Sequence, residues 1–262
     1  MIYLNSVTMK DAGRPADFPF TLPLIEQLER LEFTTPVTFF VGENGSGKST
    51  LLEALAVGQK CPALGSRDTV SDHSLEPARA LAAQLRFSRS RAAKRKLFFR
   101  AEDAIGFTRR IEADMKSLSA LSDEYGETLT GYGRQLAQGA VQGQREALIS
   151  RYGPQPDARS HGEWFLELMR TRLHPDGLYL FDEPETPLSP IHQLTLLSLI
   201  REMVSQNCQF IIATHSPMLM ALPGARILEF GETISEVAWD EVEHVALTRA
   251  FLQDPDSFLR HL

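Results

Sequence analysis

Three observations predict an α/β fold organised around a bound phosphate. The stretch Gly42-Glu43-Asn44-Gly45-Ser46-Gly47-Lys48-Ser49-Thr50 follows the apolar run Phe39-Phe40-Val41 and precedes Leu51, Leu52 and Leu55. It satisfies the phosphate-binding pattern G-x-x-x-x-G-K-[ST], with a strand before it and a helix after it. Leu178-Tyr179-Leu180-Phe181 is a second short apolar strand, and it ends in Asp182-Glu183. Gln209–Thr214 is a third, and His215 follows at its end.

In chain order, 2–9 and 37–41 read as strands, and 24–31 as a short helix with Leu24, Leu28 and Leu31 on one face. Phe18 and Phe20 are candidates either to stack on adenine or to pack in the core. Gly42, Gly45 and Gly47 allow a tight wrap whose backbone N–H groups point at phosphate oxygens. Glu43, Asn44, Ser46 and Thr50 complete the loop. Lys48 reaches the β and γ phosphates, and Ser49 gives its hydroxyl to Mg²⁺. The helix that follows adds its positive end; it runs to about Ala56 and ends near Gly58. The 61–74 stretch reads as an exposed loop, and Pro77 opens another helix that continues to Leu85.

From Arg86 to Arg100 there are seven positive residues (Arg86, Arg89, Arg91, Lys94, Arg95, Lys96, Arg100) and no acid. This segment is a candidate contact for nucleic acid or a partner, or else a solvated basic loop. Phe98-Phe99 reads as a short buried strand. A helix is expected over 101–119, then loops and a short helix over 122–143, then a break at Tyr152–Pro156. Ser160-His161-Gly162-Glu163 has the form of a capping box in front of the helical residues Trp164–Met169. Asp182, at a strand end beside a phosphate loop, fits an Mg²⁺ site. Glu183 is placed to polarise a water in line with the γ-phosphate, and His215 is a candidate to contact that phosphate. Helices are expected over 191–204 and 242–252, and a hairpin over 225–237.

At 262 residues the chain holds one large α/β domain, or a core with a smaller lobe. Hydrophobic content of 43% and a mean hydropathy of −0.18 describe a soluble globular protein. No apolar stretch approaches the roughly 20 residues that cross a bilayer, and Met1–Asn5 lacks the form of a signal peptide. Cys61 and Cys208 have no ligand-like spacing, so free thiols and a cytoplasmic location without membrane insertion are expected. A net charge of −7 weighs against a nonspecific nucleic-acid coat.

Together the phosphate loop, Ser160–Glu163, Leu178–Glu183 and His215 resemble the ABC-type ATPase family. They are most similar to its small stand-alone soluble ATPases and to the heads of DNA-repair and chromosome-structure ATPases. The resemblance implies a P-loop NTPase three-layer sandwich with an antiparallel N-terminal strand region and a mainly helical lobe. Its expected divisions are 1–100 and 173–262 for the two parts of the core and 101–172 for the lobe. It implies ATP and Mg²⁺, with Walker A at Gly42–Ser49, Walker B at Leu178–Asp182, catalytic Glu183, a D-loop in Glu185–Pro190 and a switch histidine at His215. Ser160, Gly162 and Glu163 take the place of the signature motif, which in this family caps the γ-phosphate held by a second copy. An ATP-dependent homodimer with two composite sites is therefore implied.

The chain departs from the family in having His161 where glycine is common and Glu163 where glutamine is common. The Q-loop glutamine after Phe98-Phe99 is replaced by Arg100-Ala101-Glu102, and either Glu102 or Arg100 is a candidate for its role. The expected activity is Mg²⁺-dependent ATP hydrolysis in a homodimer that drives an unidentified protein partner or a nucleic-acid process. The alternative is the ATPase subunit of a membrane transporter. The missing Q-loop glutamine and the irregular look of 103–159 stand against that alternative. A regulatory module with little turnover is disfavoured by Glu183 and His215, and a P-loop kinase by the signature-like motif.

Overall fold

The computed structural model of the protein describes residues 1–10, 15–63, 73–152 and 161–260. Its first half contains β1 (Leu4–Met9), α1 (Pro23–Gln27), β2 (Arg30–Glu32), β3 (Val37–Gly42), α2 (Lys48–Gln59), α3 (Glu76–Gln84), β4 (Leu85–Arg89), β5 (Arg95–Arg100) and α4 (Ala101–Thr128). It continues with α5 (Gly131–Tyr152), α6 (His161–Arg172), β6 (Gly177–Asp182), α7 (Pro190–Ser205), β7 (Gln209–Ala213), α8 (Pro217–Met220), β8 (Arg226–Phe230), β9 (Ile234–Glu236), α9 (Glu243–Gln253) and α10 (Pro255–Leu259).

The main sheet has the order β5-β6-β7-β3-β8-β9. Its first five strands are parallel, and β9 closes the edge as the antiparallel half of a hairpin. Both faces are covered, so the strands are apolar at consecutive positions. The two-residue period sends alternate side chains to two separate cores. Phe39, Phe99, Tyr179, Phe181, Phe210 and Ile212 pack under Trp164 and Phe165 of α6 and Leu196 and Ile200 of α7. Phe40, Phe98, Leu178, Leu180 and Ile211 pack with Leu51, Leu52 and Leu55 of α2.

The small antiparallel sheet β2-β1-β4 lies on the α2 side and feeds Leu4 and Val7 into that second core. Gln209, fully buried in β7, fastens it. Its Oε1 accepts from the N–H groups of Tyr3 (2.7 Å) and Leu4 (2.9 Å), and its Nε2 donates to the Leu4 carbonyl (3.0 Å). A buried amide is tolerable there because its hydrogen-bonding groups are engaged by backbone. The result is a three-layer α/β sandwich with a phosphate loop at the end of β3, an N-terminal strand region and a helical lobe.

Two local expectations are corrected. The helix expected over 24–31 stops at Gln27, and Leu31 belongs to β2, where it pairs with Val7. The 122–143 region is not loops with a short helix: α4 runs on to Thr128, and α5 spans 22 residues. The two form an antiparallel hairpin. Gly126 allows close approach, since a Cβ there would stand 3.0 Å from Gln138 Nε2, which itself donates to the Ser122 carbonyl (2.9 Å). Among the described side chains of these two helices, Ala101 is buried at the start of α4, and Met115 and Val141 are buried further along the hairpin. No helix among the described residues is long and apolar enough to cross a membrane.

Candidate functional site

The parallel strands β3, β6 and β7 end on one side of the sheet, and the site lies just beyond them. At the end of β3, Gly42 has φ +135°, and a Cβ there would fall 2.3 Å from the Phe230 carbonyl oxygen of the neighbouring strand β8. Only glycine fits, and this turns the chain into the phosphate loop. The loop closes on itself through Lys48, whose Nζ donates to the carbonyls of Gly42 (2.8 Å) and Glu43 (2.7 Å). Lys48 is buried, and burial pulls its pKa down while Glu183 and Asp182 hold it up. The Ser46 hydroxyl is buried without a hydrogen-bond partner. A loop with an ammonium at its throat and an unsatisfied donor on its wall is built for an anion.

Asp182 ends β6, and its Oδ1 accepts from the Ser49 hydroxyl at 3.0 Å. Burial pushes this carboxyl up to about 7, and Glu53 and Glu183 push the same way. The Ser49 bond and Arg100 oppose the shift. A divalent cation shared by Ser49 and Asp182 would supply the missing positive charge, so the donor set fits Mg²⁺. Among the described residues no cluster of three His, Cys, Asp or Glu could hold a metal unaided. Mg²⁺ held by one carboxylate, one hydroxyl and nucleotide phosphates needs no such cluster.

Glu183 follows in a left-handed conformation, φ +48°, and its N–H donates to the Ala213 carbonyl of β7 at 2.9 Å. Such a backbone costs a residue with a side chain on the order of 1 kcal/mol. Its carboxylate acts electrostatically on Lys48, Asp182 and His215. His215 follows β7; burial, followed by the Lys48 charge, lowers its pKa, with Glu183 opposing. Its Nε2 is buried without a partner. A cavity of about 810 Å³ joins Gly42, Glu43 and Asn44 to His215, the β8–β9 turn and α9. The structure thus brings Gly42–Thr50, Asp182, Glu183 and His215 together.

The signature-like residues are elsewhere. Ser160 lies outside the described residues; Glu163 is exposed in the first turn of α6. Gly162 is buried, and its lack of a Cβ serves packing within the chain: that atom would meet His192 Nδ1 at 2.5 Å and the Pro187 carbonyl at 3.1 Å. No described residue of α6 lines the cavity beside the phosphate loop.

Phe20 is 3% exposed in the second core and is not available to stack on a base, while Phe18 is 54% exposed. Leu24 and Leu22, rather than an aromatic, approach Gly47. Arg100 is ion-paired with Glu53 (3.2 Å) beside the cation site, opposite Asp182 in the β5–β6 register. The Glu102 side chain lies outside the described residues. In the basic segment, Arg89 donates to Gln59 and the Gly58 carbonyl, and Lys96 to the Gln59 carbonyl. Arg91 and Lys94 face Asp176 at 3.6 and 2.7 Å. The run is therefore two strand segments, β4 and β5, with most of its cations engaged inside the chain.

Two site residues escaped the sequence reading as individuals. Glu185, the first residue of the expected D-loop, is largely buried, and its Oε1 accepts from the His215 N–H at 2.6 Å. Burial raises its pKa. His244, on α9, faces His215 with ring centroids 6.0 Å apart. Neither sits in a local pattern; their contacts cross about 30 residues of chain in both cases.

Comparison with solved structures finds a metal-chelate-type ABC transporter in an inward-facing conformation, 18% identical, with 97% of this chain and 90% of that chain covered and a TM-score of 0.49. An Smc head domain from Pyrococcus furiosus, bound to the C-terminal domain of ScpA, is 12% identical over 95% of this chain and all of that one, with a TM-score of 0.46. CbiO1 from Clostridium perfringens, part of an ABC transporter complex, is 14% identical over the whole of both chains, with a TM-score of 0.44. No curated protein sequence matches the chain. The family model of the AAA domain matches residues 20–151, just over half of the chain and the part that contains the phosphate loop, and the protein belongs to that family as a P-loop ATPase domain that uses ATP and Mg²⁺.

Proposed function

We propose that this ATPase hydrolyses ATP in a nucleotide-sandwiched homodimer, with each chain supplying the phosphate-loop half of one composite site and the cap of the other. The observation that carries the reading is the asymmetry of the single chain. Ser49 meets Asp182 beside Glu183, and His215 shares a cavity with Gly42, Glu43 and Asn44, whereas no described residue of α6 lines that cavity. Mg²⁺ when bound draws charge from the β- and γ-phosphate oxygens.

The chain's own residues do the rest. Lys48 turns from its loop carbonyls to the β and γ phosphates, and the N–H groups of Gly42–Gly47 and the start of α2 line them. Ser49 and Asp182 hold the cation, with Thr50 behind them in the first turn of α2. Glu183 accepts a hydrogen bond from the attacking water and aims it at the γ-phosphorus. The new bond forms from that water as the bond to the bridging oxygen breaks. His215 meets the γ-phosphate from the β7 side. Ser160 and Glu163 of a second copy cap it from the other side; Glu163 stands in the first turn of α6, whose positive helix end favours an anion. Residues 101–172 then act as the lobe that carries this cap. Turnover depends on closure, because part of the transition-state stabilisation comes from the partner copy.

Glu183→Gln should leave ATP binding intact and slow turnover by about 100-fold or more. With ATP and Mg²⁺ the variant should elute from size exclusion as a dimer. A variant that stays monomeric under those conditions contradicts the sandwich.

A second reading, the energising subunit of a membrane transporter, gains from two observations. The 101–152 region is regular helix, which removes one of the two arguments against it. The cations of 86–100 are largely engaged within the chain, which weakens the case for nucleic acid. No helix among the described residues is long and apolar enough to cross a membrane, so in this role the described residues work with a membrane-spanning component. Detergent-extracted co-purification of such a protein favours it, and DNA-stimulated turnover lost on neutralising Arg86 and Arg95 favours the other.

A further inference from the structure

The cavity beside the phosphate loop has one wall that the proposed chemistry does not use, the first turn of α9. Val242, at the helix entry, and Val245, one residue beyond His244, are 0% and 2% exposed in the first core. The helix start is thus fixed by packing, and His244 between these anchors is held with it. Its ring lies against His215, centroids 6.0 Å apart and planes inclined at 49°, and it hydrogen-bonds to the His215 backbone. On the amide side of the same residue, Glu185 accepts from the His215 N–H. His215 is gripped from both sides, by the loop after Walker B and by the C-terminal helix.

Both imidazoles keep Nε2 buried and without a hydrogen-bond partner. An unsatisfied buried nitrogen is costly, and the His215 Nε2, at the rim of the phosphate site, is left for an oxygen ligand to meet. The charges around the pair are Lys48 and Glu183 for His215, and Glu229, Glu243 and Lys48 for His244. Burial lowers the pKa of both rings, and the Lys48 ammonium adds to this.

We infer that His244 is a positioning residue for ATP turnover: from the first turn of α9 it holds the His215 imidazole in the place from which that ring meets the γ-phosphate. The inference rests on the reading of His215 given above. It ties the C-terminal helix to the state of the nucleotide, because loss of the phosphate frees His215 and changes what His244 packs against.

Steady-state hydrolysis by the full-length chain separates the outcomes, using His244→Ala, His244→Gln, His215→Ala and the double variant, each with a thermal melt. His244→Ala should lower kcat about tenfold with KM for ATP within about twofold. The double variant should be no slower than His215→Ala alone, since a group that acts through His215 has nothing left to position. His244→Gln, which keeps a hydrogen-bonding side chain at native stability, should recover part of the loss and covers the case in which the alanine variant folds poorly. Wild-type kcat in both His244 variants, or losses that multiply in the double variant, overturn the inference while leaving His215 in place. Unchanged kcat in His215→Ala instead removes the reading of His215 itself, and the inference with it.

Discussion

The carboxyl edge of the main sheet and the α4–α5 hairpin are opposite solutions within one chain. At the sheet edge each functional group is carried by a strand whose side chains are buried on both faces. Gly42 is locked against Phe230, and Glu183 is held at φ +48° by a bond to Ala213. The hairpin packs chiefly on itself, with Tyr132 76% exposed and Leu136 58% exposed towards its tip. Rigid support is spent where atoms must be placed to a fraction of an ångström. The hairpin is free to present surface to something else. Strained or unsatisfied groups (Glu183, Ser46, His215, His244) occur at the supported edge, where the surrounding core can hold them.

The sharpest way to break this contrast is to compare equal insults to the two regions. Phe181 is fully buried, with ring contacts to Phe99 at 5.9 Å and Phe210 at 5.7 Å. Phe181→Ala should cost about 3–5 kcal/mol of unfolding free energy in denaturant titration. Leu136→Ser in the hairpin should stay within about 0.5 kcal/mol. A large loss at Leu136 would mean that the hairpin is part of the cooperative core.

A smaller effect tests the electrostatics of the supported edge. Asp182 has a folded pKa raised to about 7 from an ordinary carboxylate value, chiefly by burial. The folded state therefore holds this proton more tightly than the unfolded state, and stability falls as pH rises from about 4 through 7. Asp182→Asn should stabilise the nucleotide-free protein at pH 8 by on the order of 2 kcal/mol, with the gain fading by about pH 5. Melting temperatures of the two proteins across that range check it; equal pH slopes contradict the burial of a charge at Asp182.

The same contrast explains what was legible in the sequence. Phe39–Gly42, Leu178–Asp182 and Gln209–Ala213 announce themselves as uninterrupted apolar runs with chemistry at their ends, and their pairing follows from the need to bury both faces. The hairpin hid because Gly126, Gly131, Gly133, Gly139 and Gly143 dilute its helical period. It forms through packing between helices, such as Gly126 against Gln138, rather than through propensity. Leu31 misled by falling at a helical spacing while pairing with Val7 in a sheet. The contacts that Glu185 and His244 make with His215 had no local signal, since both reach it from distant parts of the chain.

The central claim is that one chain holds only part of an ATP site and needs a second copy to turn over. Turnover per chain across about a thousandfold range of protein concentration, at saturating ATP and Mg²⁺, tests it most directly. Activity per chain should rise with concentration and level off as the dimer seen by sedimentation becomes dominant. Constant activity per chain, from a species that stays monomeric throughout, would contradict the account.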